Sequence, residues 1–357
     1  MTISYTAEVS TSKFFVFAHT LFRWNGSVWK AVFFEVILWC IGYMILSLVY
    51  RLALSDSQQK TFEQVTLLCY QYMDFIPITF MMGFFVSLVV TRWWTMFNHI
   101  GWIDNFGLLV ASYIRGVDEK GRRIRRSIIR YVCLCQVLIF RSISIRVRKR
   151  FPTLESLEFA GYVDENERLQ LEDLKFWMPI RWAMHLIRDA RYEGRITIPV
   201  LQYLDKFRTD IQSLWFTDWV PVPLVYTQVI FVSVRLYFIV AMIGRQFLDV
   251  ERHTRRAPID IYVPFMTIIQ IICYTGWSKV AEALLNPFGE DDDDFECNWI
   301  IDRNLQVGLV IVDDKPGVVP PLVTDKFWNE ANAQLLYSVQ SAALPQNPNI
   351  GSAALLM

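Results

Sequence analysis

The chain lacks a disulfide framework, a histidine cluster and a net charge, and each absence removes a class of function. Its six cysteines, Cys40, Cys69, Cys133, Cys135, Cys273 and Cys297, follow no paired spacing, and four lie in apolar stretches, where cysteine serves as a small buried hydrophobe. Cys133 and Cys135 fall on different faces of a helix, which is poor geometry for a metal. The four histidines, His19, His99, His185 and His253, share no ligand spacing, and no Ser/His/Asp constellation accompanies them, so nothing marks an enzyme. With 35 basic and 35 acidic residues the formal charge is zero, and no global field draws a nucleic acid. Residues 1–25 have no apolar core, so no cleavable signal peptide is expected.

Charge is also missing locally. From Ile76 to Thr91 there is no charged side chain, so this segment can sit in hydrocarbon. Arg92, Trp93 and Trp94 close it with a cation and two amphipathic rings suited to a membrane interface. Pro77 can open the helix, because its missing N–H would be unsatisfied in the first turn anyway. Ile76, Phe80 and Phe84 recur every four residues and form one stripe, with Ser87 and Thr91 following near the same face. Gly83 beside them lets a neighbouring helix approach closely. Periodicity alone leaves open whether this stripe faces lipid, another helix or a pore.

What the chain does have is apolar bulk: 54% hydrophobic and 15% aromatic residues, with mean hydropathy +0.28. Soluble domains average about 45–50% apolar even with glycine counted. Four membrane spans are expected, at residues 28–50, 65–94, 222–248 and 259–285, each long enough to cross ~30 Å as a helix. Lys30 can snorkel from the first span, whereas Glu35 must face protein or water. Arg235, in the middle of the third span, either lines an aqueous vestibule or has a structural partner, Glu35 being one candidate. Residues 51–64 read as a polar loop. Between Gly101 and Pro223 lie 20 of the 35 basic residues and no long uncharged run, which reads as a helical soluble domain placed in the cytoplasm by the positive-inside bias. Four spans put both termini on that side, where the sequon Asn25-Gly26-Ser27 is not glycosylated and Ser27 serves as a helix cap.

The acidic run Glu290-Asp291-Asp292-Asp293-Asp294 follows directly on the fourth span. Five consecutive carboxylates ordinarily form a solvated, self-repelling segment. Phe288, Phe295 and Trp299 flank these with rings that pack, and a packed acidic run needs a counter-charge. Closely spaced hard oxygens suit Ca²⁺, which takes six to eight of them at about 2.3–2.6 Å. The spacing is not that of an EF-hand. Chemistry leaves both readings open, a calcium site and a solvated helix start.

The segment 76–94 resembles the pore-lining second transmembrane helix of the bestrophins, pentameric calcium-activated chloride channels. The acidic run resembles their calcium clasp. Met1-Thr2-Ile3-Ser4-Tyr5-Thr6, Arg141-Ser142, Asp218-Trp219, the run from Pro223 to Gln228 and Gly244-Arg245-Gln246-Phe247-Leu248 extend the resemblance to about Trp328. It implies an all-α membrane protein with four transmembrane segments per subunit and a helical cytosolic domain, assembled as a pentameric channel. It implies a pore neck of Ile76, Phe80 and Phe84, and a cytosolic aperture at Val200, where a shortening of the chain before Asp218 loosens the register. It implies a Ca²⁺ site of the Asp291 and Asp294 carboxylates with backbone carbonyls of Asn286 and Ala283 and of Ser10 from a neighbouring subunit. Family members often carry glutamine at the position of Ala283, a change a main-chain ligand tolerates.

The expected organisation is an N-terminal cytosolic arm (1–27), a first transmembrane pair (28–98), a cytosolic helical domain (99–221), a second pair (222–285), a clasp and wrap (286–328) and a disordered tail (329–357). The expected function is a Ca²⁺-opened channel for chloride and other small anions. The expected setting is a homo-pentamer or related hetero-oligomer among membrane lipid, with the plasma membrane the expected location and no nucleic acid as partner. The competing readings are a membrane enzyme using Glu35 or the acidic run, and a calcium-binding membrane scaffold that conducts nothing.

Overall fold

Long uncharged runs must close all their backbone hydrogen bonds internally, and they do so as helices. The computed structural model describes residues 5–6, 8–9, 14–75, 77–171, 175–196, 201–248, 262–314, 320–331 and 337–343. Among these no strand occurs. A short helix α1 (Phe14–Leu21) precedes α2 (Val28–Leu48), which continues as a π-turn to Ala53. Ser27 caps α2 as expected, its Oγ accepting from the Lys30 N–H at 3.4 Å.

The expected second span is not one helix. It divides into α3 (Asp56–Tyr72), a 3₁₀ turn Met73–Phe75, and α4 (Ile78–Asn98). Proline disfavours the α conformation of the residue before it, so Pro77 ends one helix and heads the next. The Met81 N–H closes the first turn of α4 on the Pro77 carbonyl at 3.1 Å. The expected polar loop 51–64 is also corrected, since α3 starts at Asp56, where Ser55 and Gln58 form a capping box. Inside this segment Glu63 is buried and accepts from the Tyr50 hydroxyl at 2.8 Å.

Among the described residues three helical stretches are long and apolar enough to cross a membrane: Val28–Ala53, α4 and α12 (Leu224–Gly244). The fourth expected span is α13 (Phe265–Leu284), 20 residues whose last turns carry Lys279 and Glu282. It packs against α2 and α4, while α12 packs against α3 and α4. Trp39, Tyr43, Met82, Phe85, Val89, Val234 and Ile271 fill the space between them.

The charged block is built on α6 (Glu119–Ile143), surrounded by α5 (Asp104–Tyr113), α7 (Ile145–Arg150), α8 (Leu154–Phe159), α9 (Glu165–Gln170), α10 (Met178–Tyr192), α11 (Leu201–Trp219) and α14 (Cys297–Asp313). From Val132 to Phe140 α6 is buried on nearly every side, and Cys133 and Cys135 lie within that core with free thiols that burial pushes up to about 12. The basic stretch after Gly121 forms two helices divided at Ser144, α6 and α7, and ends before Phe151-Pro152. There the Arg141 Nε and Nη2 donate to the Phe151 and Pro152 carbonyls at 2.6 and 2.7 Å. Gly317–Met357 separates as a second unit, and α15 (Val339–Ala342) is its one helix among the described residues. The disorder expected for the tail falls largely on residues outside the described ones.

Candidate functional site

The two faces of α4 differ sharply. Ile78, Met82, Phe85, Val89 and Met96 form the face packed inside the chain, with Phe85 and Val89 at 0% exposure. Phe80 and Phe84 face the other way at 66% and 61% exposure. Their rings meet edge-on at 4.8 Å, and Ser87 and Thr91 continue the exposed line below them. Thr91 and Thr95 donate their hydroxyls back to carbonyls one turn earlier, at 2.8 Å each, so the lower line presents oxygens rather than O–H groups. Among the described residues no side chain or other helix comes within 4 Å of where a Gly83 Cβ would stand, so the close approach expected there is not made by them. Ile76, the third residue expected in a pore neck, lies outside the described residues, as do Val200 and Ser10.

At its lower end α4 is tied to both the charged block and the acidic loop. Arg92 Nη1 donates to the Val220 carbonyl at 3.1 Å and Nη2 to that of Thr217, so a cation meets the C-terminal end of α11. Trp93 and Phe97 pack against Phe295, with centroids 5.1 and 5.8 Å apart, and Phe295 in turn meets Phe288 at 5.6 Å. Of the rings flanking the acidic run, Phe288 and Phe295 therefore do pack, Phe295 directly on the end of α4, whereas Trp299, expected to pack with them, is 59% exposed.

The loop itself puts its aspartates in unlike environments. Asp292 is held below the usual carboxylate range by a hydrogen bond from the Lys30 ammonium at 2.5 Å. Burial, then the neighbouring Asp292 and Asp291 carboxylates, raises Asp293. Asp294 is 1% exposed, and burial pushes its pKa up to about 6. Its Oδ2 accepts the Asp291 N–H at 2.6 Å. Arg146 braces the loop from α7, donating to Glu296 at 3.1 Å and to the Glu290 and Asp291 carbonyls at 3.0 and 3.2 Å, and Lys149 pairs with Glu290.

Part of the expected donor set, the Asp294 carboxylate and the Asn286 carbonyl, has the chemistry of a hard-cation site. Among the described residues no three His, Cys, Asp or Glu side chains gather as a metal group, so a cation here must draw on carbonyl oxygens as well as carboxylates. Gly289 makes room for that. A Cβ there would stand 2.9 Å from Asp294 Oδ2 and 3.6 Å from the Asn286 carbonyl oxygen, so two expected ligands converge on the side of Gly289 that lacks a side chain. Ala283 and Asp291 instead line a neighbouring cleft of about 590 Å³, together with Ser27, Lys30, Gly276 and Lys279.

A protein-family model described as "Bestrophin, RFP-TM, chloride channel" matches residues 1–314. The chain belongs to the bestrophin family. It is 44% identical to Bestrophin homolog 24 of Caenorhabditis elegans over 99% of this chain and 57% of that protein. It is 42% identical to human Bestrophin-1 over 99% of this chain and 62% of that protein. The chain thus spans little more than half the length of these relatives. In fold it is similar to a crystal structure of a bacterial Bestrophin homolog from Klebsiella pneumoniae, with TM-score 0.57 and 16% identity, covering 79% of this chain and 98% of that one. This bestrophin is an integral membrane protein, and the charges of Glu35 and Arg235 on its candidate membrane helices are partnered. Arg235 Nη2 reaches Glu35 at 3.5 Å and Glu282 at 3.2 Å, while the Lys279 ammonium reaches Glu35 at 3.0 Å and Glu282 at 2.5 Å. The pairing expected for Arg235 and Glu35 is therefore present, within a balanced quartet whose other members the sequence reading passed over. Gly289 was missed too, although a glycine one residue after Asn286-Pro287-Phe288 is itself a turn signal.

Proposed function

We propose that this bestrophin is one subunit of a calcium-opened channel for chloride and other small anions, assembled as a homo-pentamer or a closely related hetero-oligomer. The observation that carries the reading is the exposed pair Phe80 and Phe84 on a membrane helix whose other face is fully packed within its own chain. Large apolar side chains that their own chain leaves mostly exposed are available to a symmetric ring of copies. Five such helices around an axis bring Phe80 and Phe84, with Ile76 preceding them, into an apolar constriction that stays shut by excluding water. The positive edges of the rings are compatible with a passing anion.

Asp291 and Asp294 would hold Ca²⁺ together with the carbonyls of Asn286 and Ala283 and that of Ser10 from a neighbouring subunit. The bound ion would add positive charge at the buried Asp294 carboxylate, on which Arg146 already acts. Occupancy favours the loop arrangement that binds more tightly, which is all a ligand can do to a conformational equilibrium. Phe295 passes a change in the loop to Trp93 and Phe97, and so to the end of the neck helix. Val200 is assigned to a second, cytosolic constriction. The setting proposed with this reading is the plasma membrane, with both termini cytoplasmic.

Purified protein in a planar bilayer tests it. Anion-selective current that rises with calcium on the side of the charged block is the expected result. Calcium binding with no current would leave a calcium-binding scaffold instead.

A further inference from the structure

The linker between α4 and α5 exposes two backbone carbonyls to the interior of the charged block, and two buried amides hold them. Gly101 adopts φ +80°, a left-handed turn suited to glycine. The Gln136 amide nitrogen donates to the Ile100 carbonyl at 2.7 Å and to the Gly101 carbonyl at 2.9 Å. The Asn304 amide nitrogen donates to the same Gly101 carbonyl at 3.0 Å and to Gln136 Oε1 at 2.9 Å. Asn304 Oδ1 accepts from Arg303 Nη1 at 3.2 Å, and Arg303 is itself clamped to Asp104. Both amides are 0% exposed. Every polar group of the pair is used, so the linker cannot slide without leaving a buried carbonyl unpartnered.

The position of Asn304 gives this network a direction. It sits on α14, which begins at Cys297, directly after the acidic loop. A helix is rigid over such a length, so displacement of the loop moves Asn304 with it. The same segment touches the end of α4 a second time through Phe295 on Trp93 and Phe97. One segment thus holds the end of the neck helix by an aromatic contact before Asn98 and by an amide contact after it. Two separated attachments transmit a rotation, where a single contact would allow the helix to pivot.

We infer that Gln136 and Asn304 are positioning residues for opening, the joint through which the acidic loop turns the end of the neck helix. This rests on the calcium-opened reading above. The two can fail separately, because calcium binding and opening are read by different signals.

The test is Gln136→Met, similar in length and without donors, in assembled channels reconstituted in bilayers. Calcium should still raise the melting temperature of the variant as it does that of the unaltered chain. Open probability at saturating calcium should fall roughly tenfold, within the usual range of coupling between sites. Adding Phe80→Ala and Phe84→Ala should restore current by removing the gate, which a merely misassembled channel could not do. Unchanged open probability overturns the inference, as does loss of the calcium-induced melting shift, which would place the amides in the calcium loop itself. Should Gln136→Met not assemble, Asn304→Ser, which keeps one donor, carries the same expectation. Failure of both to assemble would assign the amides to folding and overturn the joint. If the unaltered chain does not respond to calcium, the proposed function fails first and the joint has no signal to carry.

Discussion

Asp294→Asn separates a calcium ligand from a structural carboxylate, because the two readings give opposite signs for stability. Asp294 is buried at 1% exposure and its pKa stands at about 6 against a usual 3.8. A carboxyl whose folded pKa is raised destabilises the fold when ionised. The penalty is absent below about pH 4, grows as pH rises, and is complete above about pH 6, where it amounts to about 3 kcal/mol. Asparagine cannot ionise, yet its Oδ1 can still accept the Asp291 N–H that Asp294 Oδ2 accepts at 2.6 Å. In chelator at pH 7 the variant should therefore melt higher than the unaltered chain, and the difference should vanish on acidification to about pH 4. With calcium present the order should reverse in function, because the variant has lost an anionic ligand and opens only at higher calcium. Thermal melts with and without chelator, alongside calcium titrations in patch recordings, read both effects. A variant that is less stable in chelator at pH 7 and opens at unchanged calcium would refute the reasoning.

Gly289→Ala should shift activation to higher calcium and leave the calcium-free state closed, since its Cβ would stand 2.9 Å from Asp294 Oδ2. An unshifted calcium titration would move the site away from Gly289. Val200→Ala should change relative anion permeabilities with little effect on calcium response, because a second constriction senses only what passes; unchanged reversal potentials would remove Val200 from the path. Lys279→Met leaves Glu35 and Glu282 with Arg235 as their remaining cation and should cost on the order of 1 kcal/mol, a figure kept small because the quartet is partly exposed. An unchanged melting temperature would show that the quartet does not hold the helices together.

The membrane helices were legible because hydrocarbon excludes charge, and their uncharged runs stand out at any window. The shared face of Phe80 and Phe84 was legible for a related reason: a four-residue repeat on a helix fixes which side chains lie side by side. Hydropathy is blind to backbone conformation, however. It ran α3 and α4 together across Pro77, although the restriction proline places on its predecessor was written there. It also took residues 51–64 for a loop because they are polar, when a capping box at Ser55 starts a helix. The acidic run announced itself by charge density. Its contact with α4 did not, since the packing of Phe295 on Trp93 joins residues far apart in the chain and only the fold reveals it. Lys279 and Glu282 read as the polar end of a span, and their role as partners of Glu35 and Arg235 depends on three helices meeting.

The neck is tested most directly by Ile76→Ala, Phe80→Ala and Phe84→Ala together, purified and recorded in a planar bilayer with calcium chelated. Dewetting depends on radius and on the absence of polar groups, and truncation widens the constriction, so the triple variant should conduct anions without calcium. A stripe that faces lipid predicts modest loss of stability, unchanged gating and no calcium-free current. A triple variant that folds, assembles and stays shut in chelator would contradict the account.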